Sequence, residues 1–113
     1  MIQIFGTKKC QDTRKAERFF KERGVRFQFI DLAEKAMSPG ELRSVAARVG
    51  GLENLLDKEG KRYVDKGLKY SAFSPAGLEK LLLDDPLLLR TPIVRSGQQA
   101  AVGHVPDVWK TFS

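Results

Sequence analysis

The stretch IQIFGTKKCQDTRKAERFFKERGVRFQFID, from Ile2 to Asp31, decides how the rest of the chain is read. Ile2 to Phe5 is short, apolar and β-prone, while Val25, Phe27 and Phe29 alternate with Arg26 and Gln28, so two strands bracket it. Between them Ala16, Phe19 and Phe20 fall on one face of a helix from about Thr13 to Arg23, which Gly24 ends. Glu17 with Lys21 and Arg18 with Glu22 stand at pairing distance on the opposite side. Strand, helix and strand joined by tight connections predict a right-handed parallel βαβ unit, with Cys10 at its first turn.

Working outward, Ser38-Pro39-Gly40-Glu41 has capping-box spacing with proline at the first helical position, followed by Leu42, Val45, Ala46 and Val49 at helical intervals up to Gly50-Gly51. Ser74-Pro75 opens another helix above Leu78, Leu81 and Leu82, and the charged stretch Asp57 to Tyr70 reads as short helix plus loop. Residues 38–85 are therefore read as a helical insertion. Pro92 to Arg95 and Gln99 to Gly103 flank the turn Ser96-Gly97-Gln98 and predict an antiparallel hairpin. Pro106 starts a closing helix whose Val105, Val108, Trp109 and Phe112 should dock on the sheet. The order predicts an α/β, thioredoxin-like fold with a mixed four-stranded sheet, in one domain spanning 1–113.

Composition narrows the function classes. With 42% hydrophobic and 30% charged residues the chain is an ordinary globular mixture. Neither a signal-peptide pattern nor an apolar run of membrane-span length is present, and a single cysteine precludes an internal disulfide, so a cytoplasmic, reducing setting is expected. The net charge of +6 favours anionic partners, and eight of the twenty Lys and Arg residues lie between Lys8 and Arg26, around Cys10. Nucleic acid is disfavoured as a partner because Phe19, Phe20, Phe27 and Phe29 fit a core pattern rather than a stacking surface. No Cys/His cluster has metal-ligand spacing, no nucleotide fingerprint is complete, no tightly bound cofactor is expected, and the chain is expected to be a monomer.

Phe5-Gly6-Thr7-Lys8-Lys9-Cys10-Gln11-Asp12-Thr13-Arg14-Lys15-Ala16 resembles the cysteine loop and first helix of the arsenate reductase-like family, which includes Spx-type regulators and small thiol reductases. Phe29 to Leu32, the Ser-Pro-x-Glu start at Ser38, Leu55 to Gly60 and Leu88-Leu89-Arg90-Thr91-Pro92-Ile93-Val94 resemble later parts of the family in the same order. The resemblance implies that Pro92 is a cis-proline facing Cys10. It also implies thiol oxidoreductase activity with glutathione as the reductant, acting on a disulfide or on an oxyanion such as arsenate. The arsenate-reducing members resemble one another in three arginines around the cysteine; here Asp57, Thr91 and His104 stand near those places, and Arg90 is adjacent to Thr91. The Spx-type alternative is a non-enzymatic protein that contacts an acidic partner such as RNA polymerase. Its Cys-x-x-Cys switch is replaced by Cys10-Gln11-Asp12-Thr13.

Chemically, a free thiol with a pKa near about 8.5 is mostly protonated at neutral pH. The start of a helix and the cations Lys8, Lys9 and Arg14 are expected to lower that value. Cys10 is the candidate nucleophile, Thr13 a hydrogen-bond donor to it, and Lys9, Arg14, Arg90, Pro92 and His104 candidate substrate-binding residues. Against these stand plainer readings: Cys10 as an inert small residue, Arg14 on a solvated helix face, Arg90 in a structural or surface role, and His104 as a helix-end hydrogen-bonding residue.

Overall fold

The computed structural model describes residues 1–112. Strand β1 (Ile2–Gly6) leads through the Thr7–Cys10 loop into helix α1 (Gln11–Glu22) and back through β2 (Phe27–Asp31). Helices α2 (Pro39–Val49), α3 (Lys61–Asp65) and α4 (Pro75–Asp84) follow, then the hairpin β3 (Ile93–Ser96) and β4 (Gln99–Val102), then α5 (Pro106–Trp109). The sheet order is β2-β1-β3-β4; β2 runs parallel to β1, and β3 and β4 are antiparallel additions. This is the mixed four-stranded α/β arrangement predicted.

Alternation along the central strands divides the core into two layers. Ile2, Ile4 and Val94 face α1 and α5, where they meet Ala16, Phe20, Trp109 and Phe112. Phe5 and Ile93 face the other way and pack beneath Leu42, Val45, Leu55, Leu78, Leu82 and Leu88 of the insertion. Helix α2 begins as its sequence requires: Ser38 Oγ accepts from the Glu41 N–H at 3.1 Å, and Glu41 Oε1 accepts from the Ser38 N–H at 2.9 Å. Ser38→Ala is expected to lower stability by about 1 kcal/mol in chemical denaturation, the usual cost of an N-cap. Its C-cap Gly50 has φ 91°, a left-handed turn that side chains avoid.

Three details differ from the sequence reading. Helix α1 starts at Gln11, two residues earlier, because the Arg14 N–H already bonds the Cys10 carbonyl at 3.2 Å. The Glu17/Lys21 and Arg18/Glu22 pairs are not formed among the described residues. Lys15 instead meets Asp12 at 3.7 Å and Arg23 lies over the Phe19 ring at 5.0 Å. Exposed ion pairs gain too little against side-chain entropy to be dictated by spacing. Val108 does not dock: it is 41% exposed, since the short α5 turns Trp109 inward and passes into a 3₁₀ turn that inserts Phe112.

Candidate active site around Cys10

Topology alone brings the cysteine to its partners. Because β3 is antiparallel to β1, with Phe5 opposite Ile93, the residues just before β3 lie beside the loop just after β1. Thr91 therefore faces Cys10 although 81 residues separate them. The Thr91–Pro92 peptide bond is cis, as the resemblance implied, and Pro92 is buried. The insertion is pinned to the same place by three backbone links. Leu56 bridges Leu89, the Asp57 N–H donates to the Leu88 carbonyl at 2.9 Å, and the Arg90 N–H donates to the Leu55 carbonyl at 2.7 Å. Asp57 and Lys61 are thereby carried to the edge of the cysteine cleft.

The Cys10 thiol is half-buried at the N-cap of α1. Thr91 Oγ1 donates to Sγ at 3.2 Å, and Sγ is 3.8 Å from the Thr91 carbonyl oxygen, its acceptor when protonated. Burial pushes the thiol pKa up. The Thr13 and Thr91 hydroxyls and the Thr13 and Asp12 N–H groups at the helix start pull it down, and the balance lies below the ordinary thiol value. Thr13 is wholly buried, packed so tightly under Gly6 that a Cβ there would fall 2.3 Å from Thr13 Oγ1. Its hydroxyl makes no hydrogen bond of acceptable geometry, yet it is among the groups that favour the thiolate.

The thiol opens into a cleft of about 510 Å³ walled by Lys9, Asp57, Lys61, Leu87 and Thr91. Of the residues singled out from sequence, Cys10, Lys9 and Thr13 come together here, with Pro92 directly behind Thr91. Arg14 does not enter the cleft: its Nε donates to the Lys8 carbonyl at 2.8 Å, which braces the loop. Arg90 lines a neighbouring cleft, and its guanidinium lies against Gly103, where a Cβ would approach Nη2 to 2.9 Å. His104 is exposed and stacks edge-on with Trp109, ring centres 5.4 Å apart. Lys61 escaped the sequence reading altogether. It sits on a five-residue helix with no buried residue, and only the long-range pairing of residues 55–57 with 88–90 delivers it.

A cysteine at the head of α1, a cis-proline opposite and a helical insertion over one end form a recognisable combination, and residues 5–112 match the model of the ArsC family. The chain belongs to the ArsC family. It is 28% identical over 102 residues to the uncharacterized protein YusI of Bacillus subtilis, covering 88% of this chain and 86% of the relative. It is 24% identical to the global transcriptional regulator Spx 2 of Oceanobacillus iheyensis, covering 98% of this chain and 82% of that protein. The fold superposes on an arsenate reductase from Vibrio cholerae with a TM-score of 0.85 and 23% identity, covering 99% and 97% of the two chains. As an ArsC-family chain it departs from the arginine-rich pattern in geometry as well as in sequence. Asp57 and Thr91 line the cysteine cleft, and no arginine does. Among the described residues no helix is long and apolar enough to cross a membrane.

Proposed function

We propose that the protein is a thiol oxidoreductase in which Cys10 alone is the nucleophile and an external thiol, glutathione being the simplest, completes the cycle. The observation that carries this reading is the environment of Sγ: a half-buried sulfur at the head of α1 accepts the Thr91 hydroxyl at 3.2 Å, and the hydroxyls and N–H groups around it hold its pKa below the ordinary value. A structural cysteine has no use for such donors. The Cys10 thiolate attacks one sulfur of a disulfide, the other sulfur leaves with the electron pair, and the resulting mixed disulfide is released by the second thiol. With no second cysteine in the chain, this release must come from outside. Arsenate is expected to be a poor substrate, since the cleft offers Lys9 and Lys61 as point charges but no bidentate guanidinium for an oxyanion.

The test is the pH profile of Cys10 alkylation, joined to mass spectrometry after incubation with oxidised glutathione. A titration midpoint clearly below about 8.5 and an adduct on Cys10 are expected. An unreactive thiol without an adduct sinks the enzyme reading. That result would favour the second reading, a partner-binding scaffold, which draws support from the near full-length similarity to proteins named as global transcriptional regulators. In that case the basic surface around Cys10 would contact an acidic protein such as RNA polymerase.

A further inference from the structure

The cysteine cleft is the middle of three. Through Lys9, Lys61 and Leu87 it shares walls with a second cleft of about 570 Å³, whose rim adds Arg62, Asp65 and Lys66. Through Asp57 it shares a wall with a third of about 380 Å³, bounded by Glu53, Glu59, Lys58 and Arg90. The two flanks differ in charge. The first sets four cations against one carboxylate, and the second sets three carboxylates against two cations. Leu87, 41% exposed, forms an apolar ledge between the thiol and the cationic flank.

Partnering reduces the contrast without removing it. Lys9, beside the thiol, has no ion pair among the described residues, whereas Lys61 is held by Asp65 at 2.6 Å and Arg62 and Lys66 by Asp85 at 2.7 and 2.5 Å, so the four cations of that flank keep a surplus of two over those two carboxylates. On the other flank Lys58 is already held by Glu53 at 3.0 Å, which leaves Asp57 and Glu59 without a salt bridge among the described residues. At the centre lies the Cys10 thiol, to which the Thr91 hydroxyl donates at 3.2 Å. The middle cleft alone has the volume for a tripeptide thiol, and such a ligand would leave both charged flanks empty. An extended chain that crosses the thiol fills all three.

We propose that the disulfide substrate of Cys10 is borne on an extended polypeptide segment, acidic on one side of its reacting sulfur and basic on the other. The inference rests on the thiol-transfer reading above and adds the substrate class. Acidic side chains meet Lys9 and the surplus positive charge of the paired Lys61, Arg62 and Lys66, basic ones meet Asp57 and Glu59, and the stem next to the sulfur lies on Leu87. In the first step the Cys10 thiolate bonds to the segment's sulfur while the old S–S bond breaks, and the departing thiolate carries the electron pair. An external thiol then attacks the mixed disulfide, leaving the segment reduced to a thiol and itself joined to Cys10, and a second equivalent restores the Cys10 thiolate. Two thiols are oxidised to one disulfide as one substrate disulfide is reduced.

The test uses the full chain and single-cysteine peptides carrying thionitrobenzoate as a mixed disulfide, so that each transfer to Cys10 releases a coloured thiolate. Four peptide types share one scaffold: neutral, wholly acidic, wholly basic, and acidic on one side with basic on the other, the last made in both orders. The glutathione–thionitrobenzoate disulfide is the small control. One order of the bipolar peptide is expected to react about tenfold faster than the neutral peptide, with the advantage shrinking as salt is raised. Lys9→Gln with Lys61→Gln should erase most of that advantage, read as the ratio of the bipolar-peptide rate to the neutral-peptide rate within the same variant. Equal rates for all peptides, or a glutathione disulfide as fast as the best peptide, overturn the proposal and leave thiol transfer standing. Failure of every disulfide, including free Ellman's reagent, overturns thiol transfer itself and the proposal with it.

Discussion

Thr13→Val is expected to slow alkylation of Cys10 about five- to tenfold at pH 7 while raising the plateau rate reached in alkali. The hydroxyl is one of the donors that hold the thiol pKa down against burial, and a hydrogen bond to a charged group is worth about 1.5–3 kcal/mol. Losing it depletes thiolate at neutral pH. Each remaining thiolate is more basic and more nucleophilic, which recovers about half of the loss on a logarithmic scale. A merely structural Thr13 would change neither limb of the profile. The same substitution has an unusual signature in stability. A thiol whose folded pKa is depressed stabilises the fold at pH values above its unfolded pKa, and that contribution disappears as pH falls through the folded value. Wild type should therefore gain on Thr13→Val as pH rises. Once pH has fallen below the folded thiol pKa, the valine variant should be equally or more stable in urea denaturation, because Thr13 Oγ1 is buried without a well-formed partner.

The second large effect is expected far from the sulfur. Asp85, buried at the end of α4, receives Arg62 Nε at 2.7 Å and Lys66 Nζ at 2.5 Å. Helix α3 has no buried residue of its own, so this double clamp holds much of it against the body of the protein. Asp85→Ala should cost about 2 kcal/mol, towards the low end for a broken pair because both cations are nearly half exposed and can turn to water. Hydrogen exchange should quicken in residues 61–66 before the rest, and Lys61 should leave the cysteine cleft. Burial pushes the Asp85 carboxyl pKa up, but Lys66 and Arg62 overcome it and hold the group below the usual carboxylate range. The clamp's contribution is thus complete above about pH 4 and lost as pH falls through the lower folded value, so the stabilities of wild type and variant should converge in acid.

Much of the fold could be read from residues because local rules and global topology agree. The alternation of Phe27 and Phe29, the apolar face of Ala16 and Phe20, and the Ser38 capping box each specify an element with a few neighbouring positions. Family resemblance supplied Pro92, which is cis, and Cys10, which lies where the first turn of a βαβ unit must place it. Residue patterns alone made only the local half of the candidate site legible. Lys9, Cys10 and Thr13 lie within one loop and one helical turn, whereas Asp57 with Lys61 and Leu87 with Thr91 come from two distant segments, of which the family resemblance pointed only to Asp57 and Thr91. Arg14 shows the limit of reading charge from proximity in sequence: it is four residues from the cysteine and spends its guanidinium on the Lys8 carbonyl.

From the sequence alone follow the order of strands and helices, the lone cysteine at a helix start, and the need for an external thiol to complete any disulfide cycle. Those conclusions depend on periods, caps and composition, which act over a few residues or none. Only the tertiary structure decided that Thr91 would touch the sulfur, that Arg90 and His104 would turn elsewhere, and that a trough with unlike ends would run past Cys10. These outcomes depend on the antiparallel register of β3 against β1 and on the pairing of residues 55–57 with 88–90. Such contacts join segments tens of residues apart, and the packing of the whole core, rather than any local preference, selects them.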